Sequence, residues 1–240
     1  MHLGDATWTD AADADPDVAL LPVGSTEQHG PHAPLATDAL TASAVADAAA
    51  DRYDGELVVA PTLPVGVSEE HRDFPGTLWL TPDTFRASVR ETIQSLVHHG
   101  WDRVIVVNGH GGNTDALAEV TATVSRHDDA YAVAFTWFDA VGDHSKDMGH
   151  AGPLETAFLR HVHPELVHED RIEDAAAGAS PRWGDWVAGV NLAHDSHEFS
   201  ENGVVGDPRD GDAERGEELE TLAADALVEL ARAVADRDLD

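Results

Sequence analysis

Residues 24–32 read Gly24-Ser25-Thr26-Glu27-Gln28-His29-Gly30-Pro31-His32, with Thr37-Asp38 a few positions on. They follow the apolar run Val18-Ala19-Leu20-Leu21-Pro22-Val23, long enough for one buried strand, and Gly24 marks where that strand stops. Glu27 and His29 are two apart, so an extended segment turns both to one side, and Asp38 opens an Ala- and Thr-rich stretch that reads as a helix. Carboxylate oxygens with neutral imidazole nitrogens suit zinc, manganese or iron better than calcium or magnesium. The plain alternative is a polar loop in which Asp38 caps the helix.

Two further blocks repeat the pattern. Asn108-Gly109-His110-Gly111-Gly112-Asn113 follows the apolar run Arg103 to Val107, which puts His110 at the carboxyl end of a second strand and makes Asn113 or Thr114 the cap of the next helix. A phosphate-cradling loop is the competing reading of those glycines, but neither the phosphate-loop lysine nor a GxGxxG pattern is present. Asp147-Met148-Gly149-His150-Ala151-Gly152-Pro153-Leu154-Glu155-Thr156 places a histidine and a carboxylate around Pro153, a good first helical residue. Open α/β sheets bind ligands outside the carboxyl ends of their strands, and three such loops in one chain fit that rule.

On these blocks, together with Phe74-Pro75-Gly76-Thr77 and in the same order from about residue 18 to 167, the chain resembles the creatininase family of metal-dependent amidohydrolases. The resemblance implies two divalent ions per subunit, with Glu27, Asp38 and His110 on one, and His29 with a bridging Asp38 on the other. Zinc is expected first, with manganese or iron as alternatives. His150 falls where the family keeps its catalytic histidine. Creatinine-hydrolysing members carry a glutamate ligand two residues after the histidine of the Asn-Gly-His block and an aromatic residue directly after it. Here these positions are Gly112 and Gly111. Glu155 is the expected substitute ligand, with a share in proton transfer if it does not bind metal, and creatinine itself is not the expected substrate. Other branches cleave a formamide in the flavin and deazaflavin pathway or the end of a mycofactocin-type precursor peptide. The late Asn202-Gly203-Val204-Val205-Gly206-Asp207-Pro208 segment looks more like the creatininase and peptide-processing branches. The resemblance also implies a homo-oligomer, often a hexamer.

The chemistry follows from the residue types. An amide is a poor electrophile and water a poor nucleophile at neutral pH; a divalent ion lowers the pKa of its water to roughly 7 and polarises a carbonyl. His150, with an ordinary pKa near 6.5, is the candidate general acid and base that returns a proton to the leaving nitrogen. The expected reaction is hydrolysis of a non-protein or cyclic amide C–N bond in a small molecule. Peptide-end trimming and deformylation are the alternatives, and a metal-binding module without catalysis or a metal-free sugar or nucleotide binder are the non-enzymatic ones.

Other polar residues carry less. Glu70 and His71, in the charged segment before Phe74, are candidate substrate contacts, as are Gly111 and Trp137, the latter closing the apolar run Tyr131 to Phe138. His98, His99, His161 and His163 lie near helix C-termini and read as structural. His194 and His197 fall in a late loop with no assigned role.

Acidic residues total 46 against 14 basic ones, for a net charge of −32, and Lys146 is the only lysine. Such a surface excludes nucleic acid as a partner, since neutralising phosphate needs the opposite sign. The acids are spread along the chain rather than gathered in a tail, which reads as a solvated folded surface. Self-repulsion of that size is tolerated best in concentrated salt, so a haloarchaeal cytoplasm is expected. There are no cysteines, the apolar runs are strand-sized and short of the ~18 residues of a membrane span, and the N-terminal residues lack a signal-peptide pattern.

Length and a hydrophobic content of 42% suit one domain over residues 1–240. Strands are expected near 18–23, 57–60, 103–107 and 131–137, and helices near 38–52, 83–99, 114–126, 154–162 and 212–236. This alternation predicts an α/β fold, a single-domain three-layer α/β/α sandwich with a mostly parallel sheet. Residues 164–210 have no clear periodicity and are expected to be functional or packed against a neighbouring subunit; the family resemblance implies an interface or a lid.

Overall fold

Period-two burial splits the strands between two hydrophobic layers. In the computed structural model, which describes residues 1–239, the chain runs through β1 (Val18–Val23), α2 (Thr37–Arg52), β2 (Leu57–Val59), α3 (Pro82–His98), β3 (Arg103–Asn108), α4 (Thr114–His127), β4 (Tyr131–Thr136), α5 (Pro153–Val162) and α7 (Ala213–Ala235), with α1 (Trp8–Asp13) ahead of β1 and α6 (Ile172–Ala177), β5 (Trp186–Val187) and β6 (Val190–Asn191) between α5 and α7. Val18, Leu20, Ile105 and Val107 pack on one face with Val45 of α2, Phe158 of α5 and Leu227 of α7. Ala19, Leu21, Val104 and Val106 pack on the other with Phe85 and Ile93 of α3 and Leu117 of α4. Every residue of β1 is buried, as expected of a central parallel strand covered on both sides. Each fully buried Leu or Ile contributes roughly 1.5–3 kcal/mol. The three-layer α/β/α arrangement is therefore present.

The four long strands form one parallel sheet in the order β2-β1-β3-β4. From β1 the chain moves to β2 on one side and then returns to β3 on the other, so the strand order reverses between β1 and β3. A crevice opens there at the strands' carboxyl ends. Both the Glu27–His29 loop and the His110 loop leave from that point.

Helix boundaries follow ordinary capping. Thr81 accepts a hydrogen bond from the Thr84 amide at 3.4 Å ahead of Pro82, the first residue of α3. Gly100, at φ +95°, turns the chain out of that helix. Neither Asp38, whose capping is the alternative reading, nor Asn113 caps its helix. Asp38 is the second residue of α2, behind Ala36, and its carboxylate turns inward rather than capping. Asn113 precedes α4 without capping it, because its side chain is engaged elsewhere.

The segment 164–210 is not structureless. It holds short 3-10 turns, α6 and the β5–β6 hairpin, and it is tied to the body through His150 and Val205, which exchange backbone hydrogen bonds of 3.0 and 2.8 Å. Among the described residues no helix is long and apolar enough to cross a membrane.

Candidate metal centre and active site

Two glycines bring the strand ends against the first turn of α2. A Cβ on Gly24 would lie 2.3 Å from the Ala39 nitrogen, and one on Gly109 would lie 2.1 Å from the Asp38 carbonyl oxygen. Only a residue without a side chain permits that approach, and the result is that Asp38 projects between the two loops. Asn108 fixes the second loop: its amide donates to the His110 carbonyl oxygen at 2.8 Å and accepts from the His110 backbone N–H at 3.1 Å. Asn113 donates to the Gly24 carbonyl oxygen at 3.1 Å and accepts from the Val67 N–H at 2.9 Å, which joins the two strand-end loops.

The side chains meet in overlapping groups able to hold an ion, Glu27, Asp38 and His110 in one and His29, His150 and Glu155 in another, with Asp38 reaching the histidine of each. His110 Nδ1 lies 3.2 Å from Glu27 Oε1 and 3.2 Å from Asp38 Oδ2. His29 Nε2 lies 3.0 Å from Asp38 Oδ1 and 3.6 Å from Glu155 Oε1. A tetrahedral ion with bonds of about 2.0–2.1 Å holds its ligand atoms about 3.3 Å apart, so both spacings fit a shared cation. The two oxygens of Asp38 face different histidines, as a bridging carboxylate would.

Tautomers follow from the outer partners. His110 Nε2 donates to the Val67 carbonyl oxygen at 2.6 Å and His29 Nδ1 to that of Glu27 at 3.2 Å. In the neutral rings the nitrogens facing the carboxylates carry the lone pairs, which is the arrangement metal-binding histidines adopt. Glu27 Oε1 and Oε2, His29 Nε2 and Asp38 Oδ2 are buried without any hydrogen-bond partner. No Lys or Arg among the described residues pairs with Glu27, Asp38 or Glu155; their ion-pair partners are all histidines. Three buried carboxylates without such compensation would each cost several kcal/mol. Two divalent cations would supply it, so these residues fit the implied metal pair.

Electrostatics agree. Burial opposes the charged form of His29, but Asp38 and Glu155 outweigh it; burial opposes that of His110, but Glu27 and Asp38 outweigh it. Both imidazoles stand well above their ordinary pKa in the protein alone. Burial pushes the Asp38 carboxyl up, yet His29 and His110 hold it well below the usual carboxylate range. Protons on these histidines stand where cations would.

His150 is held differently. Its Nε2 donates to the Gln28 carbonyl oxygen at 2.6 Å, which leaves Nδ1 as an acceptor 3.7 Å from Glu27 Oε1. Burial, with His29 adding to it, lowers its pKa and keeps the ring neutral. The following residue, Ala151, adopts the left-handed conformation at φ +49° and donates its N–H to Glu155 Oε2 at 2.5 Å. A non-glycine residue there is strained, and the strain aims the N–H that positions Glu155.

A cavity of about 820 Å³ opens over the two groups. Glu70, His71 and Gly111 line it. His71 is also buried against Glu27: the Gln28 amide, whose oxygen accepts from Gly30 N–H, donates to His71 Nδ1 at 2.8 Å, so His71 Nε2 carries the proton facing Glu27 Oε1 at 3.4 Å. That tautomer turns an N–H toward Glu27 without a hydrogen bond, although Glu27, His71 and His150 stand close enough together to hold an ion. Burial, then His150 and His110, push its pKa well below normal. Burial raises the Glu70 carboxyl. At Gly112 a Cβ would lie 2.3 Å from the Val67 carbonyl oxygen and 2.5 Å from His110 Nε2, so this backbone leaves no room for a side chain.

One expected contact is corrected. Trp137 is wholly buried in the core against Phe138 and Phe158 and does not line the cavity. Phe138, its neighbour, does. Residues that sequence reasoning passed over include Trp183, whose ring stands edge-on 5.7 Å from His71 and 6.1 Å from His150, and Arg182 and Lys146 on the same cavity wall. Only the singularity of Lys146 in the sequence gave a hint. His32, the last histidine of the first block, is a packing residue: it is bonded to the Thr156 hydroxyl at 2.9 Å, and burial, with His29 and Arg160, brings its pKa down to about 4. Asp73, Asp195 and His197 form a surface group already paired, His197 with Asp73 and Asp195 with Arg72, each at 2.8 Å.

A parallel sheet with buried carboxylates and imidazoles converging at its switch point suits a divalent-metal site, and the comparisons with known proteins give it a family. The family model described as creatininase, creatinine amidohydrolase, matches residues 4–231, and the chain belongs to the creatininase family. It is 37% identical over 213 residues to the mycofactocin precursor peptide peptidase of Mycolicibacterium smegmatis, covering 84% of this chain and 79% of that one. It is 30% identical over 207 residues to the creatinine amidohydrolase of Pseudomonas putida, covering 75% and 79%. A solved structure of a mutant creatininase complexed with creatine superposes with a TM-score of 0.84 at 25% identity, covering 98% of this chain and 99% of that one. The chain is thus a creatininase-family amidohydrolase.

Proposed function

We propose that the whole chain works as one domain that hydrolyses a non-protein or cyclic amide C–N bond, using two divalent ions held by Glu27, Asp38 and His110 and by His29, Asp38 and Glu155. The single observation that carries this reading is Asp38, whose two oxygens stand 3.2 Å from His110 Nδ1 and 3.0 Å from His29 Nε2 in a buried centre that no Lys or Arg among the described residues pairs with. When bound, such ions acidify a water and polarise the amide carbonyl. The protein's own groups do the rest. His150, neutral and anchored through Nε2, accepts a proton from the attacking water at Nδ1 and passes it to the leaving nitrogen as the C–N bond breaks; hydroxyl ends on the acyl carbon and hydrogen on the amine. His71, held by Gln28, faces Glu27 Oε1 across 3.4 Å and flanks its carboxylate. Trp183, Phe138 and Met148 wall the cavity and limit water.

Zinc is the expected metal, with manganese and iron as alternatives. The net charge of −32 supports a protein of concentrated salt that binds neither nucleic acid nor an anionic membrane surface; the family resemblance supports a homo-oligomer, and the cytoplasm is the expected compartment. A second reading, trimming of a short peptide's end, is favoured by the cavity of about 820 Å³, which exceeds what a five-membered cyclic amide needs, and by the 37% identical peptidase relative. Purified protein in high salt, loaded in turn with zinc, manganese and iron, should hydrolyse members of a panel of cyclic amides, formamides and short peptides and lose that activity to chelators. Activity that survives full metal removal would end the proposal.

A further inference from the structure

Resting on the amidohydrolase reading, we propose that the substrate carries a carboxylate and that Arg182 binds it. Three cations line the cavity over the two carboxylate–histidine groups: Lys146, Arg182 and Arg215. Two are committed, Lys146 to Asp143 and Arg215 to Asp147 at 2.6 Å. Arg182 is not. Its hydrogen bonds are made by its backbone alone, with the Ser180 hydroxyl, and among the described residues its guanidinium has no acidic partner.

Arg126, Arg171 and Arg237 also lack an acidic partner among the described residues, but of these unpaired arginines it is the exposed Arg182 that lines the cavity. With 46 acidic side chains against 14 basic ones, a guanidinium finds carboxylates on every side, and its planar fork pairs with them readily. Of the acids on the cavity wall, Asp147 pairs with Arg215 and Asp207 with Arg209, each at 2.6 Å, while Glu70 and Asp210 pair with no basic side chain, Arg182 included, among the described residues. Arg182 precedes Trp183, whose ring faces His71 and His150, and the Ser180 hydroxyl donates to the Arg182 carbonyl oxygen at 2.7 Å, which holds that turn against the cavity. A substrate with its amide over the ions and its carboxylate on Arg182 is gripped at both ends, and this orients the C–N bond toward His150. A small neutral cyclic amide engages one end only.

The test compares N-acyl amino acids and short peptides bearing a free C-terminal carboxylate with the same compounds amidated, on zinc-loaded wild type, Arg182→Ala and Arg182→Lys of verified equal metal content. Calorimetric binding should favour the free acid roughly ten- to hundredfold in wild type, the range for a hydrogen bond to a charged group. Arg182→Ala should raise the Kd and KM of the acid to those of its amide, and Arg182→Lys should restore part of the preference. Equal binding of acid and amide by wild type would overturn carboxylate recognition. A preference that survives Arg182→Ala, as when the carboxylate binds the ions directly, would overturn its assignment to Arg182. A preference that depends on Arg182 without hydrolysis of any compound would sustain this site and sink the hydrolase reading instead.

Discussion

Metal loading should expel protons, and the number can be worked from the site. His29 and His110 stand well above the ordinary imidazole pKa in the metal-free protein, because the carboxylates Asp38, Glu155 and Glu27 outweigh the opposing effect of burial. At neutral pH both therefore carry protons that two cations must displace, since only the neutral ring binds a metal. Loading the pair should release up to about two protons and strengthen, between pH 6.5 and 8.5, by up to about a hundredfold per pH unit. The sign reverses for the metal-free protein. A raised histidine stabilises the fold fully below its unfolded pKa near 6.5, and that stabilisation is lost as pH rises through the folded value. Metal-free protein should accordingly melt lower at pH 8.5 than at 6.5, while loaded protein gains. Calorimetric titration of metal into chelator-stripped protein, in high salt and in two buffers of different ionisation enthalpy, counts the protons directly. Metal binding with no proton release at pH 7 would refute the reasoning, because it would mean neutral histidines beside unpaired buried carboxylates.

Three further outcomes are expected. His150→Ala should keep its two ions and lose roughly 10²–10⁴-fold in turnover; loss of metal instead, read by elemental analysis, would make His150 a ligand. Gly112→Ala should destabilise by about 1–3 kcal/mol and weaken metal binding, since its Cβ would press on His110 Nε2 and the Val67 carbonyl oxygen; an unchanged melting temperature and metal affinity would contradict the packing described. Thermal stability should rise between 0.1 and 1 M salt, as the screening length falls from about 10 to about 3 Å around a charge of −32, and a maximum in dilute buffer would count against adaptation to salt.

Much of this was legible from residue spacing. The apolar runs and glycine stops placed β1, β3 and the helices after them to within a residue or two, because period-two burial and capping are local. The cluster of candidate ligands was legible for the same reason: Glu27, His29 and His110 follow strands whose carboxyl ends the parallel topology must bring together. What was not legible depends on contacts distant in sequence. That Trp137 turns into the core while Phe138 meets the cavity is decided by packing on α5, which no local pattern encodes. His71 offers a proton rather than a lone pair to Glu27 only because Gln28, 43 positions earlier, donates to its other nitrogen. Trp183 and Arg182 lie in a segment without periodicity, placed by the Ser180 and Val205 bonds to residues elsewhere in the fold. Asp38 reads equally well as a cap until the Gly24 and Gly109 contacts set it between two loops.

Anomalous diffraction from crystals of zinc-loaded protein addresses the centre itself. Two peaks roughly 3.5–4 Å apart are expected, one beside each Asp38 oxygen, with His110 at the first and His29 at the second. A single peak, or a pair remote from Asp38, would contradict the shared-carboxylate centre on which the proposed hydrolysis depends.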